Sequence, residues 1–300
     1  MLAAFLATIL FSFSAITGRR LSHFVSGTQA NLARLVLASL VLGTISLLFG
    51  LGIRRAAFPL LFLSGCVGFG MGDLAMFQAY PRIGARRTIL LIQCLAAPFG
   101  ALLEWLWLNR APTITQAVYG SIILVGVGIG LMPGKAEARP TDGVVVGTLF
   151  GVLSAFCQGG GAVISRKAYA VADAAGYSFH TAADGINAAF QRTLGGISIS
   201  VLFLLYLKIA HKPVATAKAN WRSGWLWAIG NGLCGPAFGV SCYQWALMTE
   251  KTSIVLPIVA TTPLVVMPLA HYWEGDRITW RTLLGGVIAV AGVVGLTLAK

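Results

Sequence analysis

PGKAEARPTDG, residues 133–143, is the most polar connection inside a chain that is otherwise apolar almost from end to end. On either side of it the sequence falls into apolar stretches of about 20 residues, the length that crosses a hydrocarbon layer roughly 30 Å thick. Cut at charges and turn residues, these run over 1–18, 30–52, 57–79, 84–108 and 113–132 before the polar segment, and over 143–165, 185–207, 223–248, 252–273 and 279–299 after it. The reading is an all-α membrane protein of about ten transmembrane helices, five in residues 1–134 and five in residues 143–300. Composition agrees: with 57% apolar and 10% charged residues, a water-soluble fold of 300 residues would lack the polar atoms to cover its surface.

The formal charge of +13 raises nucleic acid as a partner, but the Lys and Arg residues stand singly or in pairs between apolar spans, as loop anchors do. Cys66, Cys94, Cys157, Cys234 and Cys242 fall inside spans without CxxC spacing, and the four histidines are dispersed, so no disulfide, metal or cofactor is expected. The first span begins at Met1 without a basic lead-in and meets no small-residue cleavage site before Arg19 and Arg20, which predicts a retained helix. Small residues at four-residue spacing, Gly143, Gly147 and Gly151 or Ser64, Gly68 and Gly72, predict close helix contacts.

The two halves carry matching features. TGRR (17–20) ends the first span as SRK (165–167) ends the sixth, NLAR (31–34) opens the second as AAFQR (188–192) opens the seventh, and FQAY (77–80) resembles YQWA (243–246). An offset of 165 relates Pro98 to Pro263, Gly120 to Gly285, and Gly130-Leu131 to Gly295-Leu296. Five spans is an odd number, so the second half enters the membrane from the opposite side, and the halves are inverted repeats. Such repeats commonly enclose a central cavity exposed alternately to either face, which points to solute movement.

Four segments, GMGDLAMFQAYPRIGARRTILL (70–91), GPAFGVSCYQWAL (235–247), TTPLVVMPLAHYWEGDRIT (261–279) and GGVIAVAGVVGL (285–296), resemble the EamA-type members of the drug/metabolite transporter superfamily along the whole chain. The resemblance implies a secondary transporter of the cell (inner) membrane, often an exporter of amino acids, metabolites or drugs. It also implies a central cavity lined by the third, fourth, eighth and ninth helices and the first of each half. Asp73 matches a Gly-Asp of the family's third helix, whereas WLNRAP (107–112) departs from a common Gly-Glu-Arg turn that EGDR (274–277) approaches.

A charge inside a span costs a few kcal/mol and usually faces protein or a water-filled path. Candidate pathway residues are therefore Asp73, Arg34 and Arg192, with the neutral polar Gln78, Gln93, Gln158, Asn231 and Tyr243. The competing readings are a structural ion pair for Asp73, snorkelling arginines, and interhelical hydrogen bonds for the amides. Glu104 precedes Trp105 and Trp107 and reads as interfacial, in a belt with Trp221, Trp225, Trp227, Trp273 and Trp280. Pro98, Pro236, Pro257, Pro263 and Pro268 break the backbone ladder where helices could bend.

Gly70-Met71-Gly72-Asp73 has the GxGD form of intramembrane aspartyl proteases, but that chemistry needs a second carboxylate close by and no other span holds an aspartate; an enzyme is not expected. The remaining alternatives to a transporter are a flippase for a lipid-linked substrate and a non-transporting membrane sensor. Expected partners are the bilayer, a small-molecule solute and a proton as candidate coupling ion, in a monomer or homodimer. Charge bias among the loops places the termini outside the cytoplasm, and the family resemblance places them inside.

Overall fold

The computed structural model describes residues 1–49, 52–53, 56–108, 113–131, 142–177, 181–211, 219–249, 255, 258–275 and 279–298. Most of the 133–143 connection and Pro257 lie outside these residues. Among the described residues every regular element is a helix: α1 (Leu2–Leu21), α2 (Gly27–Leu48), α3 (Phe58–Gly65), α4 (Asp73–Leu108), α5 (Ile114–Leu131), α6 (Asp142–Ala174), α7 (Ala182–Ile209), α8 (Trp221–Gly232), α9 (Phe238–Thr249), α10 (Thr262–Glu274) and α11 (Trp280–Leu298).

Two π-helical turns join consecutive helices into single rods: Cys66–Gly72 links α3 to α4, and Leu233–Ala237 links α8 to α9. The α4 helix is broken in turn at Gly84, whose φ of 76° and ψ of 168° suit glycine alone. Counting the two π-joined runs as one rod each and dividing α4 at Gly84 gives ten rods among the described residues. Seven segments are long and apolar enough to cross a membrane by length and composition alone. Leu40, Leu106, Leu124, Leu149 and Leu202 stand exposed on the outside of the bundle, a surface that suits lipid and not water.

The halves exchange partners. The first helix of the chain, α1, packs on α8, α9 and α10 of the second half, while α6 packs on α3 and α4 of the first. The α2 helix pairs with α7, and α5 with α11. Both α2 and α7 start with a capping box, Ser26 with Gln29 and Thr181 with Asp184, so equivalent helices are launched by equivalent chemistry.

Small residues set the distances. At Gly65 an added Cβ would strike the carbonyl of Arg192 in α7, and at Gly232 it would come 3.1 Å from the carbonyl of Arg34 in α2, so the two halves repeat the same backbone contact. Gly147 faces Arg82 and Ile83, Gly151 faces Leu91 and Gly72 faces Cys157, which is where the small-residue spacing placed close packing. Hydroxyls add links: Ser64 Oγ donates to the Gly161 carbonyl at 2.7 Å and lies 2.8 Å from Ser165 Oγ, between α3 and α6.

One expectation is corrected. The sixth helix does not end near residue 165 but runs to Ala174, so Arg166 and Lys167 are helical and not loop anchors. Arg166 has an ion-pair partner in Glu104 of α4. Of the belt tryptophans, Trp105, Trp221, Trp225 and Trp280 are exposed, and Trp227 and Trp273 are partly buried against the cluster around Ile16 and Tyr80.

Gly195 lies where a Cβ would collide with the Phe62 carbonyl, while a Cβ on Gly128 would meet nothing within 4 Å. Gly195→Ala is expected to destabilise by about 1–3 kcal/mol, as overpacking does, and Gly128→Ala, which meets no clash inside a helix, to leave stability equal or raised by up to about 1 kcal/mol. Thermal unfolding of both variants in the same detergent checks this; equal transitions would remove the α3–α7 contact from the account.

Candidate functional site

A cavity of about 370 Å³ lies at the centre of the bundle, lined from both halves. Its size sits at the lower end of small-molecule sites. Both π-helical turns reach it, through Phe69 on one side and Gly235 and Pro236 on the other. Glu104, Gln116 and Thr297 also line it, each within a turn of the end of its helix, so the cavity extends to one rim of the bundle.

At its inner end Arg34 and Asp73 form an ion pair, both almost fully buried. Arg34 arises from α2 and Asp73 from the first turn of α4, immediately after the π turn. The guanidinium is satisfied further: Nε donates to Asn31 Oδ1 at 3.0 Å, Nη1 reaches Asn231 Oδ1 at 3.5 Å, and the Phe77 ring lies 5.1 Å from it. The second carboxylate oxygen of Asp73 accepts from Gln158 Nε2 at 3.1 Å. Asn31 donates to the Phe69 carbonyl and to Ser200 Oγ, and Asn231 donates to the Ser14 carbonyl and hydroxyl. One ion pair is thus tied to α1, α2, α4, α6, α7 and α8.

Arg192, from α7, is as buried as Arg34 and lines the same cavity, but its surroundings differ. Its guanidinium lies 4.7 Å from the Phe69 ring, its Nε has no hydrogen-bond partner, and among the described residues it has no ion pair. Nearer the rim, Glu104 of α4 pairs with Arg166 of α6, both about one-third exposed. A pair this exposed adds roughly 0–1 kcal/mol to stability.

Of the residues singled out from the sequence, the structure gathers Arg34, Asp73, Gln93, Gln158, Arg192 and Tyr243 around the cavity. It does not bring Gln78 or Asn231 to the lining. Gln78 accepts from Arg82 one turn on, an ordinary neighbour on a helix, and Asn231 is fully buried between Ser14 and Arg34. Glu104 keeps its place near a helix end but turns its carboxylate to Arg166 at the cavity mouth, because an acid there finds a cation across the groove. The GxGD motif holds an acid–base ion pair: the Asp73 oxygens are taken by Arg34 and Gln158. Asn31 and Arg166 were missed. Asn31 was visible as the residue one turn before Arg34 in NLAR, a spacing that puts both on one face.

The sequence pattern of the EamA-like transporter family fits residues 1–132 and 145–298, nearly the whole chain and in two copies. The chain belongs to the EamA-like transporter family. No curated protein matches it in sequence. A solved structure titled "Crystal structure of protein" is similar at 18% identity, covering 99% of this chain and 96% of that one with a TM-score of 0.65, a likeness of fold. The family is one of membrane transporters of small solutes, and the apolar helices make this an integral membrane protein.

Removing one partner of a buried ion pair leaves the other charge uncompensated and typically costs about 3–5 kcal/mol. Asp73→Asn and Arg34→Gln are each expected to destabilise by that order, and the double variant by less than their sum, with a coupling of up to about 3 kcal/mol. Strictly additive losses in a detergent unfolding cycle would mean that the two groups act independently.

Proposed function

We propose that the protein is a secondary transporter, working as an exporter, that carries a small metabolite such as an amino acid or a drug-like solute across the inner membrane by alternating access. Ten crossings, with residues 1–134 and 143–300 as the two five-helix repeats, belong to the same reading. The observation that carries it is the central cavity lined from both halves, with ionised side chains at its inner end and its rim. A soluble-ligand store would not need helices from two interleaved halves around it.

The two π turns support the motion. They interrupt the third and eighth rods where these border the cavity, and π turns inside helices are frequent at functional sites because they leave the backbone ladder adjustable. Exchange of partners between halves lets the bundle of α1, α8, α9 and α10 rock against that of α3, α4 and α6 around a fixed solute site. The energy source is a gradient of solute or proton, since no nucleotide-binding sequence is present. Among the described residues, Asp73 and Glu104 are the lining carboxyls that would carry a coupling proton.

Reconstituted into vesicles, the protein is expected to pass a labelled solute in either direction without ATP, and to accumulate it when a pH gradient is imposed. Glu104→Gln and Asp73→Asn, measured with and without the gradient, separate the candidates: the coupling residue is the one whose neutralisation leaves exchange intact and abolishes accumulation. Flux that required ATP would defeat this reading.

A further inference from the structure

Arg34 and Arg192 occupy corresponding places, near the starts of α2 and α7, and each shares its backbone contact with a glycine of the other half. Only one of them is neutralised. The offset of 165 that relates Pro98 to Pro263 carries Asp73 onto Phe238, so the second half supplies no acid of its own at that register. Asp73 is within electrostatic reach of Arg192, but its two oxygens already serve Arg34 and Gln158. Among the described residues the cavity lining accordingly holds Arg34, Arg166 and Arg192 against Asp73 and Glu104, which leaves one positive charge.

A buried guanidinium with no counter-charge is expensive: insertion scales put a central arginine at about 2.5–3.5 kcal/mol. The Phe69 face offsets some of that, roughly 0.5–2 kcal/mol for a cation over a ring. The remainder is a standing preference for an anion. Around the guanidinium the chain is kept small: a Cβ on Gly68 would come 3.1 Å from Nη2, and one on Gly161 would come 3.5 Å from it. Further apolar lining comes from Ile89, Ile92, Val163, Val240 and Leu247.

We propose that Arg192 is the anchor for the carboxylate of the transported solute, a small monocarboxylate whose apolar body lies along those aliphatic side chains. The proposal rests on the transporter reading and names its substrate class. A guanidinium fork matches a carboxylate in a bidentate, charge-assisted pair. One surplus positive charge balances one negative charge, so a monocarboxylate is favoured over a phosphate, which carries about −1.5 to −2 near neutral pH. The cost of the unpaired cation is lifted only when the solute is bound.

Purified full-length protein in detergent is tested by thermal shift with benzoate and phenylacetate, against the neutral benzamide and phenylacetamide and against inorganic phosphate. Expected is stabilisation of the wild type by at least one carboxylate and none by its amide or by phosphate. Arg192→Gln is expected to weaken that carboxylate about tenfold or more, as loss of a hydrogen bond to a charged group does. Arg192→Lys, which keeps the charge but not the fork, should fall between. Without ligand, Arg192→Gln should melt at or above the wild-type temperature, because it removes an uncompensated charge. The proposal is overturned if the amides or phosphate bind as well as the acids, if no carboxylate binds, or if Arg192→Gln binds normally or melts well below wild type. Vesicle flux of the bound acid distinguishes the two readings. Binding that depends on Arg192 without flux sinks the transporter and keeps the site; flux indifferent to Arg192 does the reverse.

Discussion

Charge inside a membrane must be matched, and the way Arg34 is matched organises much of the interior. Its guanidinium draws on Asp73, Asn31 and Asn231, and those groups in turn fasten Phe69, Ser200 and Ser14. Hydrogen bonds between helices in lipid are individually modest, of the order of 0.6 kcal/mol and seldom above about 2. A network that ties one buried ion pair to six helices is different, because moving any one of them breaks a bond to the pair or to a group that holds it. The register of the first three rods against α6, α7 and α8 follows from that constraint.

Backbone proximity does the rest. Gly65 against Arg192 and Gly232 against Arg34 bring opposite halves to near contact, and Gly126 and Gly130 do so against Gly285. The arginines therefore serve twice: their carbonyls form the packing surface for the partner half, and their side chains reach the cavity. That coupling of packing to polarity helps a chain with so few charges place Arg34, Asp73, Glu104, Arg166 and Arg192 in one chamber.

The fold was legible because lipid imposes it. Apolar length marks the spans, the odd number in each half dictates inversion, and the family pattern fits both halves. The site was legible in part, for reasons that differ by residue. Asp73, Arg34 and Arg192 are costly in a span and so announce themselves. Asn231 is equally polar, yet it faces a neighbouring helix, and no one-dimensional pattern separates that from facing a cavity. Arg166 read as the end of a helix because its partner, Glu104, lies 62 positions away in sequence. The π turns fall in CVGFGMG and LCGPA, where glycine and Pro236 indicate a loosened ladder without specifying its form.

The exchange of partners also has a consequence for how the chain is made. Asn231 completes its bonds to Ser14 across 217 residues. At about 5–20 residues per second, synthesis of that interval takes roughly 10–40 s. For all of that time the Ser14 hydroxyl, a hydrogen-bond acceptor within the first helix, lacks the amide donor that α8 supplies. The nascent protein has to hold Ser14 against water, lipid headgroup or the insertion machinery until α8 arrives, so the last helices to emerge decide when the first one finds its place.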